Sequence, residues 1–174
     1  MRGTATPRRQ ANCVLVVTCQ PDRLRGGPDA PSIIYAVARG DGLSTRIVPV
    51  KGGTSALLFD GGKNDVEAGL GTLSPDGSTL AASCLGRLDP LEGICIAHAD
   101  GTNLRVLVSG PSLVGPTWSP DGTRIAYTDA EQPAGEYKIF VVDVATGETS
   151  FVAEGAMSEW LDDHTLIVEH VSPG

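Results

Sequence analysis

The residues of this chain that could do chemistry are few and poorly spaced for it. The available general bases are His98, His164 and His170, and none lies near a Gly-x-Ser-x-Gly elbow that would present a serine to it. His98 stands in a repeat slot that holds Ala38 and Asp143 in the other copies, and a position that accepts Ala, His or Asp reads as solvated. His164 belongs to a turn. Cys13, Cys19, Cys84 and Cys95 show no Cys-x-x-Cys spacing and no His at metal-ligand distance in sequence, which argues against zinc. Cys19 and Cys84 share one repeat slot, so small buried apolar side chains are expected there rather than paired or reactive thiols. Asp162-Asp163 and Asp100-Gly-Thr-Asn103 are oxygen-rich but lack the spaced ligand series of a calcium loop. Gly52-Gly53 and Gly61-Gly62 do not follow the strand, loop and helix plan of a phosphate cradle. The expectation is a chain with no catalytic residue, no metal and no cofactor of its own.

The elements that position these residues are set by a repeat. Ser-Pro-Asp-Gly occurs at Ser74–Gly77 and again at Ser119–Gly122, 45 residues later. The parallel extends from Leu73-Ser-Pro-Asp-Gly-Ser-Thr-Leu-Ala-Ala-Ser-Cys84 to Trp118-Ser-Pro-Asp-Gly-Thr-Arg-Ile-Ala-Tyr-Thr-Asp129. A degenerate third copy begins at Trp160 and keeps the Asp and Thr of the pattern. Within the motif, proline presets φ near about −65°, the Ser side chain can bond back to the turn backbone, and Gly closes the turn without steric strain. The motif is therefore a turn between two strands, not a site.

Downstream of each mark runs a second matching pair of strands: Ile94–Gly101 leads to Leu104–Val108, Ile139–Gly147 leads to Thr149–Val152, and Ile34–Gly42 leads to Thr45–Val50. Each unit is thus a meander of strands a, b, c and d, and a period of 40–50 residues built from strands is the mark of a β-propeller blade. The expected fold is all-β, a partial β-propeller of about three four-stranded antiparallel blades. Complete blades are expected at about 71–108 and 115–153. An incomplete blade lies at each end: Cys13–Cys19 reads as a strand b without its strand a, and Met157–Trp160 with Thr165–Glu169 as an a and a b without c and d. Residues 1–12 read as a disordered tail and 13–174 as the repeat domain.

With 41% hydrophobic residues, 22 Gly and 12 Pro, the chain suits many short strands with tight turns, and Gly or Pro interrupts every candidate helix. A net charge of −8 argues against nucleic acid or an anionic membrane as partner, because the summed field repels both. No apolar segment approaches the ~20 residues of a membrane span. Arg2, Arg8 and Arg9 ahead of Ala11–Cys19 resemble the start of a secretion signal, but the apolar stretch is short and lacks a small-residue cleavage site.

In an antiparallel meander the loops alternate between the two ends of the sheet. The a–b and c–d loops are tight turns, whereas Gln20–Ser32, Leu85–Gly93, Ala130–Tyr137 and Lys51–Leu70 are long, charged and unequal between copies. Binding concentrates where a rigid scaffold displays irregular loops. The candidate partner-binding face therefore comprises Arg23, Arg25, Lys63, Arg87, Asp89, Glu131 and Glu136.

The run Trp-Ser-Pro-Asp-Gly-x-x-Ile-Ala-Tyr, followed by Ile-Phe-Val-Val-Asp-x-x-x-Gly, resembles the repeat of TolB-type, WD-like β-propellers over roughly residues 13–170. That resemblance implies a bacterial propeller and a periplasmic or extracellular location. The same repeat serves scaffolds, sensor domains and the gating propellers of serine peptidases, so it carries fold rather than function. The first reading is a non-catalytic module that binds a protein or peptide through its long-loop face. Its rivals are the gating propeller of a larger enzyme, whose catalytic part lies outside this chain, and a propeller that binds a small ligand or sugar. Trp118 is expected largely buried between sheets, and the open blade edges at the two ends invite self-association.

Overall fold

A computed structural model describes residues 14–20, 32–39, 42–49, 52–60, 66–86, 92–131 and 136–170. Every element among them is a strand. The first sheet joins β1 (Val14–Gln20), β2 (Ser32–Arg39), β3 (Gly42–Pro49) and β4 (Ala56–Asp60) in chain order. The second joins β5 (Val66–Leu73), β6 (Thr79–Gly86), β7 (Gly93–His98) and β8 (Arg105–Ser109), and the third β9 (Leu113–Trp118), β10 (Arg124–Asp129), β11 (Lys138–Asp143) and β12 (Thr149–Glu154). A hairpin of β13 (Met157–Trp160) and β14 (Leu166–Glu169) follows. All neighbours are antiparallel. The described residues thus form a partial β-propeller of three four-stranded sheets and a two-stranded remainder.

The first sheet departs from the repeat alignment. Three strands are expected there, yet Ala56–Asp60 supplies a fourth, pairing with β3 through Thr45↔Phe59 and Ile47↔Ala56. It lies inside Lys51–Leu70, the stretch read as a loop, and β5 begins within that stretch as well. The Gly pairs at 52–53 and 61–62 gave the segment a loop's composition, but the apolar run Ala-Leu-Leu-Phe between them is long enough for a short strand. The expected tail at 1–12 lies outside the described residues.

The two Ser-Pro-Asp-Gly turns are built alike. Gly77 N–H donates to Ser74 O at 2.8 Å and Gly122 N–H to Ser119 O at 2.9 Å, with both glycines at φ 74°, the left-handed region that glycine enters freely. Each serine is buried and works twice. Its hydroxyl donates to the Asp two residues on, Ser74 to Asp76 at 2.5 Å and Ser119 to Asp121 at 2.7 Å. The same oxygen accepts the N–H that opens the next strand, Thr79 at 3.0 Å and Arg124 at 2.9 Å. The motif therefore spends its polar atoms on its own backbone, which is why a turn can pass beneath the next sheet without orphaned donors.

Two apolar layers hold the sheets together. Leu73, Leu80, Ala82, Cys84 and Cys95 form one, with Ile47 and Leu58 of the first sheet packed against it. Ala81, Ile94, Ile96, Ile125, Tyr127 and Val142 form the other, between the second and third sheets. Ile94, Ile125 and Val142 are wholly buried, each contributing roughly 1.5–3 kcal/mol. Across the third sheet Tyr127 stacks on Phe140, and Phe140 meets Phe151 edge-on, both at 5.8 Å between ring centres.

One side chain meets expectation and one departs from it. Trp118 is largely buried between the second and third sheets, packed against the layer of Ile94, Ile125 and Val142, and its indole N–H donates to Thr72 O of the preceding sheet at 3.2 Å. Trp160 repeats the contact one sheet later, on Thr117 O at 3.1 Å. Cys84 is buried as expected but is disulfide-bonded to Cys95, with the two Cα atoms 5.8 Å apart. Strand pairing explains this: Cys84 lies opposite Gly93 and Cys95 opposite Ala82, so the two sit on one face two residues apart in register, within disulfide reach. The relevant signal is the b–c register, which repeat slots compared along one strand do not contain.

Three outcomes follow for folding. Trp118→Ala should cost about 2–4 kcal/mol in chemical denaturation and Trp118→Phe, which removes mainly the indole bond, about 1 kcal/mol; an unchanged midpoint in both would contradict the junction contact. The Ser119 hydroxyl, with the Thr123 N–H behind it, lowers the Asp121 pKa from 3.8 to about 2. A depressed folded-state pKa makes that stabilisation complete above the unfolded value and lost as pH falls from about 4 towards 2. Urea midpoints should accordingly drop across this interval, and less steeply in Asp121→Asn; equal slopes would remove the carboxylate from the account. Finally, Cys95→Ala should lower stability by about 2–3 kcal/mol, since the bond closes a loop with a sequence separation of 11. Denaturation with and without reductant checks it, and coincident curves would show that the bond does not constrain the chain.

Candidate functional site

The tight turns of the second and third sheets converge at one end of the molecule. Within each sheet the c–d turn is tied to the a–b turn by a backbone bond, Ala99 N–H to Ser78 O at 2.8 Å and Val144 N–H to Thr123 O at 3.0 Å. Between the sheets these turns leave an open groove of about 610 Å³. Its apolar wall comes from Ile96, Ala97, Trp118 and Val144, and its rim from Asp76, Asp121, His98, Asn103 and Arg105.

The chemistry of the rim is mixed in sign. Asp76 is held below the ordinary carboxylate range by the Ser74 hydroxyl and then by the Ser78 N–H, and Asp121 is brought to about 2 by Ser119 and Thr123. Both remain anions at any physiological pH. Arg105 is exposed and cationic. His98 is on the rim as well, its Nδ1 3.2 Å from Thr102 Oγ1, with the Asn103 side-chain amide 3.3 Å away. Because the Trp118 indole N–H is already bonded to Thr72 O, what Trp118 offers the groove is apolar surface. The arrangement suits a segment with both polar and apolar groups, held by contact and hydrogen bonding.

The other candidate residues are dispersed. Arg23, Arg25, Lys63, Arg87 and Asp89 lie outside the described residues. Glu131 and Glu136 are exposed on the β10–β11 connection, at the end of the third sheet opposite the groove, with Glu131 N–H donating to Asp129 at 3.0 Å. His98 and His164 are exposed turn residues, and the His164 N–H donates to Asp162 at 2.8 Å. The partners of the His98 ring are Thr102 and Asn103, not a nucleophile and an acid. Among the described residues no three His, Cys, Asp or Glu side chains are placed to hold a metal ion, and no helix is long and apolar enough to cross a membrane. Sequence reasoning read each Ser-Pro-Asp-Gly turn singly and so missed the groove, which exists only where turns of neighbouring sheets lie side by side.

No family model matches the chain. Among curated proteins it is 38% identical over 61 residues to the Tol-Pal system protein TolB of Xylella fastidiosa (strain M12), a match covering 34% of this chain and 13% of that protein. TolB of Methylococcus capsulatus is 42% identical over 60 residues, covering 34% and 14%. The chain therefore matches only about one seventh of the length of these relatives. Among solved structures it superposes on a chain of a nidogen/laminin complex with a TM-score of 0.58 at 18% identity, covering 80% of this chain and 48% of that one. A TolB structure from Agrobacterium tumefaciens gives 0.55 at 14%, covering 85% and 49%. The β-propeller domain of the trilobed protease from Pyrococcus furiosus, which has an open velcro topology, gives 0.54 at 12%, covering 83% and 45%. The shared sheets, the doubled turn motif and these likenesses agree: the chain is a partial β-propeller whose repeat is similar to that of TolB.

Proposed function

We propose that the chain is a non-catalytic propeller module that binds a protein or peptide, and that the groove between the second and third sheets takes an extended segment of that partner. The observation that carries this is the groove itself. Trp118 gives it an apolar anchor, and the fixed carboxylates of Asp76 and Asp121 line it together with the guanidinium of Arg105. Such an arrangement matches the alternating chemistry of a peptide better than that of a single small molecule. Two likenesses support the reading: TolB is a protein of the Tol-Pal system, and the nidogen structure is a complex with laminin. The buried Cys84–Cys95 bond fits a chain that folds outside the reducing cytosol.

The long-loop rim, including Glu131 and Glu136, is the competing surface on the same module. A second reading, the gating propeller of a larger peptidase, is favoured by the superposition on a puromycin-hydrolysing peptidase of Mycobacterium tuberculosis with a TM-score of 0.56 at 18% identity, covering 88% of this chain and 26% of that one. A hydrolase segment with Gly-x-Ser-x-Gly in the same reading frame would decide for it.

Peptides selected from a displayed library against the folded chain provide the test. Their affinity should fall by about tenfold or more in Arg105→Glu and in Trp118→Ala, and stay unchanged in Glu131→Lys with Glu136→Lys. Loss confined to the Glu131 and Glu136 variant would move the site to the long-loop face, and indifference to all three would overturn the binding proposal.

A further inference from the structure

The same repeat slot can be followed across successive junctions. Strand pairing equates Leu80, Ile125 and Leu166, which lie opposite Leu73, Trp118 and Trp160. The next residue in each strand is Ala81, Ala126 and Ile167. Ala81 packs into the layer shared with the third sheet and is 0% exposed. Ala126 lies on the face that the hairpin covers, as the bond from Thr128 Oγ1 to Ala156 O shows, and it too is 0% exposed. Ile167 is 56% exposed. Two residues on, Ser83 and Thr128 are buried while Glu169 is exposed. The outer face of the hairpin is therefore a junction surface of the same design as the two before it, uncovered among the described residues. Met157 and Leu161, each 65% exposed, extend its apolar area, and Glu159 and Glu169 give it negative charge.

Charge is distributed unevenly along the chain. Residues 129–174 hold ten Asp and Glu against one Lys, whereas residues 1–51 hold eight Lys and Arg against three Asp. The acidic end bears the uncovered face. The basic end includes the first three strands of the first sheet. Among the described residues that sheet already has four strands, and none is left over to complete the hairpin of its own chain.

We propose that the outer face of the β13–β14 hairpin, built on Met157, Leu161 and Ile167, seats the first sheet of a second copy of this chain, and that two copies close one ring. The proposal rests on the blade fold and is independent of the peptide reading. Continuity of the junction supplies the shape, and the opposed sequence charges of the two ends of the chain supply the orientation, the acidic C-terminal hairpin towards the N-terminal segment that carries Arg39 and Arg46. Closure is consistent with size. Each copy brings three sheets and a hairpin, so two copies supply eight stacked layers, at the upper end of the ~4–8 blades of known rings. The chain also matches 45% of a whole propeller domain, so two copies carry about the sheets of one. A junction without an indole has precedent at the first junction, where Leu73 stands in the Trp slot and packs with Ile47 and Leu58 close by.

Multi-angle light scattering and sedimentation equilibrium on the full 174-residue chain test this. The mass should be twice 18.0 kDa at micromolar concentration and should return towards the single-chain value as salt rises from about 0.05 to 0.5 M. Ile167→Lys should weaken the dimer by about tenfold or more. Glu169→Lys, a fully surface change that leaves the fold alone, should weaken it comparably. Phe151→Lys alters an equally exposed apolar residue on the opposite face of the third sheet and should leave the dimer intact. A single-chain mass at every concentration, a dimer indifferent to both Ile167→Lys and Glu169→Lys, or a ladder of ever larger species would each overturn the proposal. Peptide affinity measured on the same variants separates this outcome from failure of the groove, because neither residue lines it.

Discussion

A four-stranded antiparallel sheet of this composition has two apolar faces, and neither can be left to water without cost. Ala81, Ile94 and Ile125 are buried because a neighbouring sheet lies over them, not because their own sheet encloses them. Stability in such an array resides in the junctions, as in other repeat proteins where each unit contacts only its neighbours. The geometry of everything else follows. Turns must pass the rim of a junction without orphaned polar groups, which the Ser and Asp of the turn motif accomplish, and the strand ends must lock adjacent sheets, which Trp118 and Trp160 do through the carbonyls of Thr72 and Thr117.

The same constraint shapes the candidate site. Where two sheets meet, their turns cannot interpenetrate, and the space between them becomes the groove lined by Trp118, Asp76 and Asp121. The carboxylates there owe their low pKa values to bonds that build the turns, so a structural device leaves fixed negative charge at the surface. Asp100, Asp143 and Asp162 are lowered by turn bonds in the same way, from Thr102, Thr146 and the His164 N–H respectively. This end of the molecule is therefore persistently anionic for reasons of folding alone.

Much of this was legible in the residues. The doubled Ser-Pro-Asp-Gly gives the period, the alternation in Arg124-Ile-Ala-Tyr-Thr-Asp129 gives a strand, and the Ile-rich runs after it give its partner. What escaped was whatever depends on two segments at once. Ala56–Asp60 was hidden by the glycines beside it, because a strand at a sheet edge needs only a partner, here β3, and not a strong local signal. The Cys84–Cys95 bond depends on the register of β6 against β7. The groove needs the spacing between sheets, which no single repeat encodes.

The claim that neighbouring sheets stabilise one another is open to a residue-level measurement. Amide hydrogen exchange of the dilute, native chain should be slowest in Ile125–Thr128 and Ile139–Val142, covered on both faces, and fastest among strands in Leu166–Glu169, covered on one. Protection in β14 equal to that in β10 under those conditions would contradict the account, since strand pairing alone would then be holding the sheets.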